Sequence, residues 1–256
     1  LVALPEIDIA PVLAVFLVSC AIATYLGAAT IAGAAYISFP FALSAVAIIC
    51  LCSFHLWNSS WMFPVLSKSM GDILLAGVLR SSDYVELIFL YCFADLFYPK
   101  QIKSIGVKSI GISTLIFLVV MWAYNLSFPS TVGQENYLPL YTMARNIYLG
   151  RFVQRIEAIF VLFWVVSGCI WLSVGFFINC KLLSDMLKLP DFRPLIPAMA
   201  ILVYSAAIIP QSLPDTILYS DYYLRNYSAF FAFGVPALLT IIAILRGKVE
   251  KNDAKK

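Results

Sequence analysis

Ile73–Leu79 (ILLAGVL) and Leu87–Ala94 (LIFLYCFA) are two apolar runs separated by Arg80, Ser81, Ser82, Asp83, Tyr84, Val85 and Glu86. As a single helix, Ile73–Leu96 is long enough to cross a bilayer, which takes roughly 20 residues. A charged side chain at mid-bilayer costs roughly 2.5–3.5 kcal/mol on insertion scales, so Arg80, Asp83 and Glu86 together require a reason. Two readings stand. In the first, two half-helices meet at a polar, partly unwound stretch, the arrangement by which secondary transporters build a solute site near the midplane. In the second, the span starts only at Tyr84 and Gly71–Asp83 lies along the outer surface. Length favours the first, because Tyr84–Tyr98 alone is short for a span.

If the helix opens near Ser81 and Ser82, the N-terminal end of the second half favours a carboxylate. The carbonyl end of the first half favours an ammonium or a cation. That pair of ends suits a zwitterionic amino acid. Arg80, Ser81, Ser82, Asp83, Tyr84 and Glu86 are therefore the candidate ligand-binding residues.

The membrane assignment rests on the rest of the chain. Of 256 residues, 62% are hydrophobic and 12% charged, and the mean hydropathy is +0.92. Charged residues are absent from Ile9–Ser67, Ser109–Gln134, Ala158–Cys180, Pro194–Pro214 and Asn226–Leu245. The reading is an all-α, polytopic transmembrane bundle, a single domain over residues 1–256. Seven spans are expected: Pro11–Leu26, Tyr36–Leu56, the interrupted Ile73–Leu96, Ser109–Leu126, Glu157–Asn179, Pro194–Ile209 and Asn226–Leu245. The runs are too long for barrel strands and lack their alternation.

Basic residues orient the bundle. With the C-terminal tail 246–256 in the cytoplasm, the inner segments hold eleven Lys and Arg and the outer segments five, the sense of the positive-inside rule. The Arg-rich stretch before Glu157 runs against it. Seven spans then put the N-terminus outside. The chain opens on Leu1-Val2-Ala3-Leu4 with Glu6 and Asp8 following, and without a basic signal region. An odd number of helices is expected upstream.

Several stretches point to connectors. Gly27–Ala35 (GAATIAGAA) reads as a tight uncharged turn of small residues that permits close helix approach. Trp57–Asp72 supplies Trp57, Trp61 and Phe63 as interfacial aromatics, with Pro64 as a helix breaker. In Ser127–Ile156, Leu140, Met143, Ala144, Ile147 and Tyr148 fall at helical spacing opposite Arg145 and Asn146. This predicts a short helix over Leu140–Leu149 lying on the outer surface, either a lid over a solute path or an interfacial connector. Trp164, Gly168 and Trp171 share a helix face that alternates bulk with a gap, for helix packing or the wall of a cavity.

Cys20, Cys50, Cys52, Cys92, Cys169 and Cys180 lie in or beside spans, where they act as small hydrophobes. No CxxC pair occurs and His55 is the only histidine, so no metal site or cofactor is expected. The chain has no nucleophile elbow, phosphate-cradling glycine loop or metal motif, so it is not read as an enzyme. Nucleic acid is not an expected partner.

Four motifs carry a family resemblance: PLYTMARNIYLG at Pro139–Gly150, RFVQRIEAIFVLFWVVSGCIWLS at Arg151–Ser173, KLPDFRPLI at Lys188–Ile196, and Leu213-Pro214-Asp215 followed by Tyr219–Tyr222. In order and spacing the chain resembles the B-subunit (spore germination permease) family of bacterial spore germinant receptors, itself similar to amino acid–polyamine–cation permeases. The resemblance implies a ten-helix fold of which this chain supplies helices four to ten, with the discontinuous sixth helix aligned to Ile73–Leu96. It implies a place in the inner membrane of the spore or in the cell membrane. An amino acid or similar nutrient would be the ligand, and the other receptor subunits and the lipid bilayer the partners. An amino-acid/cation symporter and an ion-conducting subunit, with Asp83 and Glu86 as cation contacts, remain the alternative functions.

Overall fold

The computed structural model describes residues 9–63, 69–80, 89–93, 99–133, 136, 138–148, 156–210, 212–220, 227 and 233–246. Among the described residues all regular elements are helical. In chain order they are α1 (Ile9–Leu26), α2 (Ala28–Cys52), α3 (Met70–Arg80), α4 (Phe89–Cys92), α5 (Pro99–Ser127), α6 (Ser130–Gly133), α7 (Pro139–Asn146), α8 (Ile156–Met186), α9 (Ile196–Ala207), α10 (Leu213–Leu218) and α11 (Val235–Leu245). Short 3₁₀ turns occupy Ser53–Leu56, Ser59–Met62 and Arg193–Leu195.

The helices fall into two compact units. The first comprises Leu1–Leu66 and Gly111–Ile209, and the second Ser67–Ile110 and Pro210–Lys256.

In the first unit, α8 packs against both α1 and α2. The Cys20 thiol approaches the Cys169 carbonyl at 3.8 Å, and the rings of Phe41 and Phe163 stack with centroids 6.1 Å apart. Ile49 shares a cluster with Phe160, so α8 runs antiparallel to α2 and parallel to α1. Arg193 reaches the Tyr25 carbonyl while the Tyr204 hydroxyl reaches that of Ala10 at 3.5 Å, which makes α9 antiparallel to α1. Two cores result, one towards each end of this bundle. One gathers Ile49, Cys50, Val120, Ala123, Tyr124, Met143, Ala144, Ile147 and Phe160. The other holds Cys20, Phe176, Cys180 and Ile196.

The turn expected over Gly27–Ala35 shrinks to a single residue. Gly27 adopts φ 96° and ψ 172°, a region open essentially only to glycine, and α2 starts at the next position. The small residues that follow are mostly alanines, the best helix formers, so they extend the helix rather than interrupt it. Helix boundaries widen elsewhere for similar reasons. Pro99 can open α5 because its missing N–H falls where no helical partner exists, and the lysine-bearing stretch before Ser109 is helical too.

Where α8 ends, the chain makes a Schellman turn. The N–H of Leu189 donates to Ser184 O at 2.9 Å and that of Lys188 to Asp185 O at 3.2 Å, while Lys188 sits at φ 54°. This left-handed position ordinarily favours glycine. Lys188→Gly is therefore expected to stabilise the protein by about 0.5–1 kcal/mol, read as a raised thermal unfolding midpoint in detergent. Lys188→Val should lower the midpoint, because a β-branched side chain tolerates that region worst.

Ile9–Leu26, Ala28–Leu56, Gln101–Ser127 and Phe160–Met186 are long and apolar enough to cross a membrane, with no more than 22% of their most apolar windows buried inside the protein. Side chains such as Tyr36, at 83% exposure, and Leu51, at 74%, need hydrocarbon around them. Of the seven expected spans, four are thus present as long helices. α9, with 12 residues, rises only about 18 Å, short of the roughly 30 Å of hydrocarbon, and the last expected span is described as α11, with 228–232 before it outside the described residues. The interrupted span is described as α3 and α4, with 81–88 between them outside the described residues.

In the second unit, the first turns of α5 come close to α4 at one point. A Cβ at Gly106 would meet Leu90 Cδ1 at 3.5 Å. Ser212 caps α10: its Oγ accepts from the Asp215 N–H at 3.2 Å and donates to Asp215 Oδ2 at 2.7 Å. This reciprocal cap fixes where the helix starts, immediately before Pro214.

Candidate functional site

Asp72 stands in the first turn of α3, where the helix dipole favours a negative charge. Gly71 donates its N–H to Ser69 Oγ at 3.3 Å. From this start the apolar run Ile73–Leu79 forms a continuous helix ending at Arg80, and the next described residue, Phe89, opens α4. Of the six candidate ligand-binding residues, Arg80 is thus the last of α3. Ser81, Ser82, Asp83, Tyr84 and Glu86 lie outside the described residues. Helix on both sides of the charged stretch accords with either reading of it.

The bulk-and-gap face of α8 points away from the bundle. Trp164 and Trp171 are each 53% exposed, and a Cβ on Gly168 or Gly175 would meet nothing within 4 Å. Among the described residues the gap at Gly168 is therefore open.

The opposite face of α8 carries a polar seam that sequence reasoning missed. Ser173 is buried and donates to Cys169 O at 2.6 Å, the carbonyl that the Cys20 thiol also approaches. Thr24, one turn after Cys20, is fully buried, and its Oγ1 has no hydrogen-bond partner. Small polar residues four apart on each helix, Cys20 with Thr24 and Cys169 with Ser173, were the available signal. In a membrane such pairs let helices approach closely and bond across the contact.

The KLPDFRPLI stretch fastens the end of the bundle nearest Gly27. Lys188 and Leu189 form the C-terminal turn of α8. Asp191 Oδ1 then accepts from the Arg193 N–H at 3.2 Å, and its Oδ2 lies 3.7 Å from Arg193 Nη1. The Arg193 guanidinium sits 5.2 Å from the centre of the Tyr25 ring and donates from Nε to Tyr25 O at 3.3 Å. It satisfies a carbonyl in the last turn of α1, where a cation is favoured.

At the other end, Trp57 lies 5.0 Å from Phe54 and 6.1 Å from Trp122, centre to centre. The backbone N–H of Asn58 donates to Leu126 O at 2.9 Å. Tyr124 OH donates to Gly133 O at 2.9 Å and accepts from Asn136 Nδ2 at 3.0 Å. Aromatic rings with polar tips gathered at helix ends are the composition of a membrane–water interface.

α7 forms close to the predicted place, opened by Pro139, and its apolar face is packed against protein. Met143 and Ala144 are 0% exposed and Ile147 1%, packed into the core with Ile49, Tyr124 and Phe160. Arg145 and Asn146 are exposed as predicted, whereas Tyr148, placed on the apolar face, is 62% exposed. The periodicity marked one apolar face correctly, but the partner of that face is protein rather than lipid headgroups.

Among the described residues no group of three or more His, Cys, Asp or Glu side chains is arranged to hold a metal ion.

Long helices that turn apolar side chains outward, with aromatics gathered at one end, define an integral membrane protein of the helical-bundle class. A family model described as spore germination protein matches residues 1–216, and the chain belongs to that family of spore permeases. The family is one of membrane permeases and receptors, not of enzymes. No curated protein and no solved structure matches the chain.

Proposed function

We propose that this chain is the membrane-embedded, nutrient-binding subunit of a spore germination receptor. In this reading it resides in the inner membrane of the spore, takes an amino acid from the outer side and works with the other subunits of the receptor. The match to the spore germination family over residues 1–216 carries the proposal. The physical support comes from Arg80, Asp83 and Glu86 between two apolar runs, where α3 ends and α4 follows. Half-helix ends there would present a cationic and an anionic preference to one zwitterion. α3 and α4 would then be the two halves of the discontinuous sixth helix in a ten-helix fold.

Spores lacking the full-length protein are expected to lose their response to one nutrient or nutrient class while still germinating on unrelated triggers. The purified full-length protein in sealed vesicles should bind labelled amino acid without accumulating it in the lumen. Concentrative uptake driven by an ion gradient would instead establish the symporter. Spores that respond normally to every nutrient would refute the receptor role.

A further inference from the structure

α5 begins well before its apolar run. From Ser109 to Ser127 the helix rises about 28 Å, close to the thickness of the hydrocarbon, and Pro99–Lys108 adds about 15 Å beyond it. That extension is two-faced. Ile102, Ile105 and Gly106 are half-buried, with Gly106 against Leu90 of α4. Lys103 and Lys108 are exposed, together with Ser104 and Val107. By helical register position 100 falls between those of Lys103 and Lys108, and the three positions lie within an arc of about 140°. Neither α4 nor α5 contains a carboxylate, so neither helix offers an internal counter-charge to this face.

We propose that the lysine face of α5, formed by Lys100, Lys103 and Lys108, docks anionic phospholipid headgroups. The register of the helix carries the argument. With Ser109–Ser127 filling the hydrocarbon, Lys108 stands at the level of the lipid phosphates. Lys103 and Lys100 follow at about 7 and 12 Å along the axis. A flexible lysine stem lets an ammonium group at such a depth reach the surface or come within about a Debye length of it. Each lysine so placed attracts an anionic surface by about 1 kcal/mol, or about fivefold in association. The half-buried positions Ile102, Ile105 and Gly106 lie on the side of the extension away from Lys103 and Lys108, which leaves those lysines open to lipid. The docked lipid is a structural neighbour that sets the depth of α5, a role independent of the nutrient-binding proposal.

The test uses the full-length protein in phosphatidylcholine vesicles containing trace spin-labelled phosphatidylglycerol or phosphatidylcholine. At low salt the anionic probe should be retained beside the protein at least about fivefold over the neutral one. The preference should weaken at 1 M salt, where the Debye length falls to about 3 Å. K100Q/K103Q/K108Q should remove most of it, whereas K100R/K103R/K108R should keep it. Equal retention of both probes by the unmodified protein would overturn the proposal. So would an undiminished preference in a glutamine variant that reconstitutes and unfolds like the original. If millimolar inorganic phosphate displaces the lipid, the face is a soluble-anion site and the lipid assignment fails. If the glutamine variant keeps its lipid preference but loses an acidic protein partner, the face belongs to that partner instead.

Discussion

Replacing Glu86 by glutamine in the full-length protein is expected to raise the nutrient concentration that triggers germination by about ten- to a hundredfold. That range corresponds to the loss of one hydrogen bond to a charged group, worth roughly 1.5–3 kcal/mol. Glutamine keeps the size and much of the hydrogen-bonding capacity of glutamate while removing the charge, so the protein should remain in the membrane at normal abundance. Asp83→Asn should act in the same direction. The reasoning is energetic: an apolar span does not carry Arg80, Asp83 and Glu86 without a compensating partner, and a solute with both charges is one such partner. Dose–response curves of spores, paired with the amount of protein in their membranes, give the measurement. A loss of labelled amino-acid uptake into vesicles, with the germination threshold unmoved, would favour the symporter. If both variants are present at normal levels and leave response, uptake and conductance unchanged, the solute site is not here. The alternative, a span that starts at Tyr84 after a surface segment over Gly71–Asp83, then becomes the better account.

How much of this molecule was legible beforehand depended on the kind of signal each residue carries. Uninterrupted apolar runs showed the long helices because burying backbone polar groups in hydrocarbon leaves the helix as the economical solution. Their ends were less legible. Ala28–Ala35 looked like a turn because its residues are small, yet alanine is small and helix-forming at once, and only Gly27 takes the conformation a turn needs. Lys100, Lys103 and Lys108 fell outside the expected span because they are charged, although a helix that leaves the membrane carries charge freely. Arg80–Glu86 stood out by cost alone, a signal that says a partner is required without naming its position in space. The seam of Cys20, Thr24, Cys169 and Ser173 was nearly silent. Each is a common small residue, and their meaning comes only from α1 lying against α8, a long-range fact that no local pattern encodes.

The α7 segment gives the other large effect. Met143→Ala is expected to destabilise the protein by about 2–5 kcal/mol, the usual range for removing most of a buried side chain from a packed core. Ile147→Ala should do likewise. Both residues are essentially inaccessible and touch a cluster supplied by α2, α5 and α8, so the void would open where several helices meet. Arg145→Ala, on the exposed face, should shift stability by no more than about 0.5 kcal/mol. If α7 merely lay on the membrane surface, the three substitutions would differ little, because Met143 and Ile147 would exchange one mobile apolar neighbourhood for another. Cysteine labelling in intact cells, on a cysteine-free background, separates the cases further. An impermeant reagent should modify Arg145→Cys from outside, as the excess of basic residues on the cytoplasmic segments requires, and should leave Met143→Cys untouched. Labelling of Asp253→Cys but not Arg145→Cys would reverse the orientation. Rapid labelling of Met143→Cys would show that α7 lifts away from α8, as a lid over a solute path does.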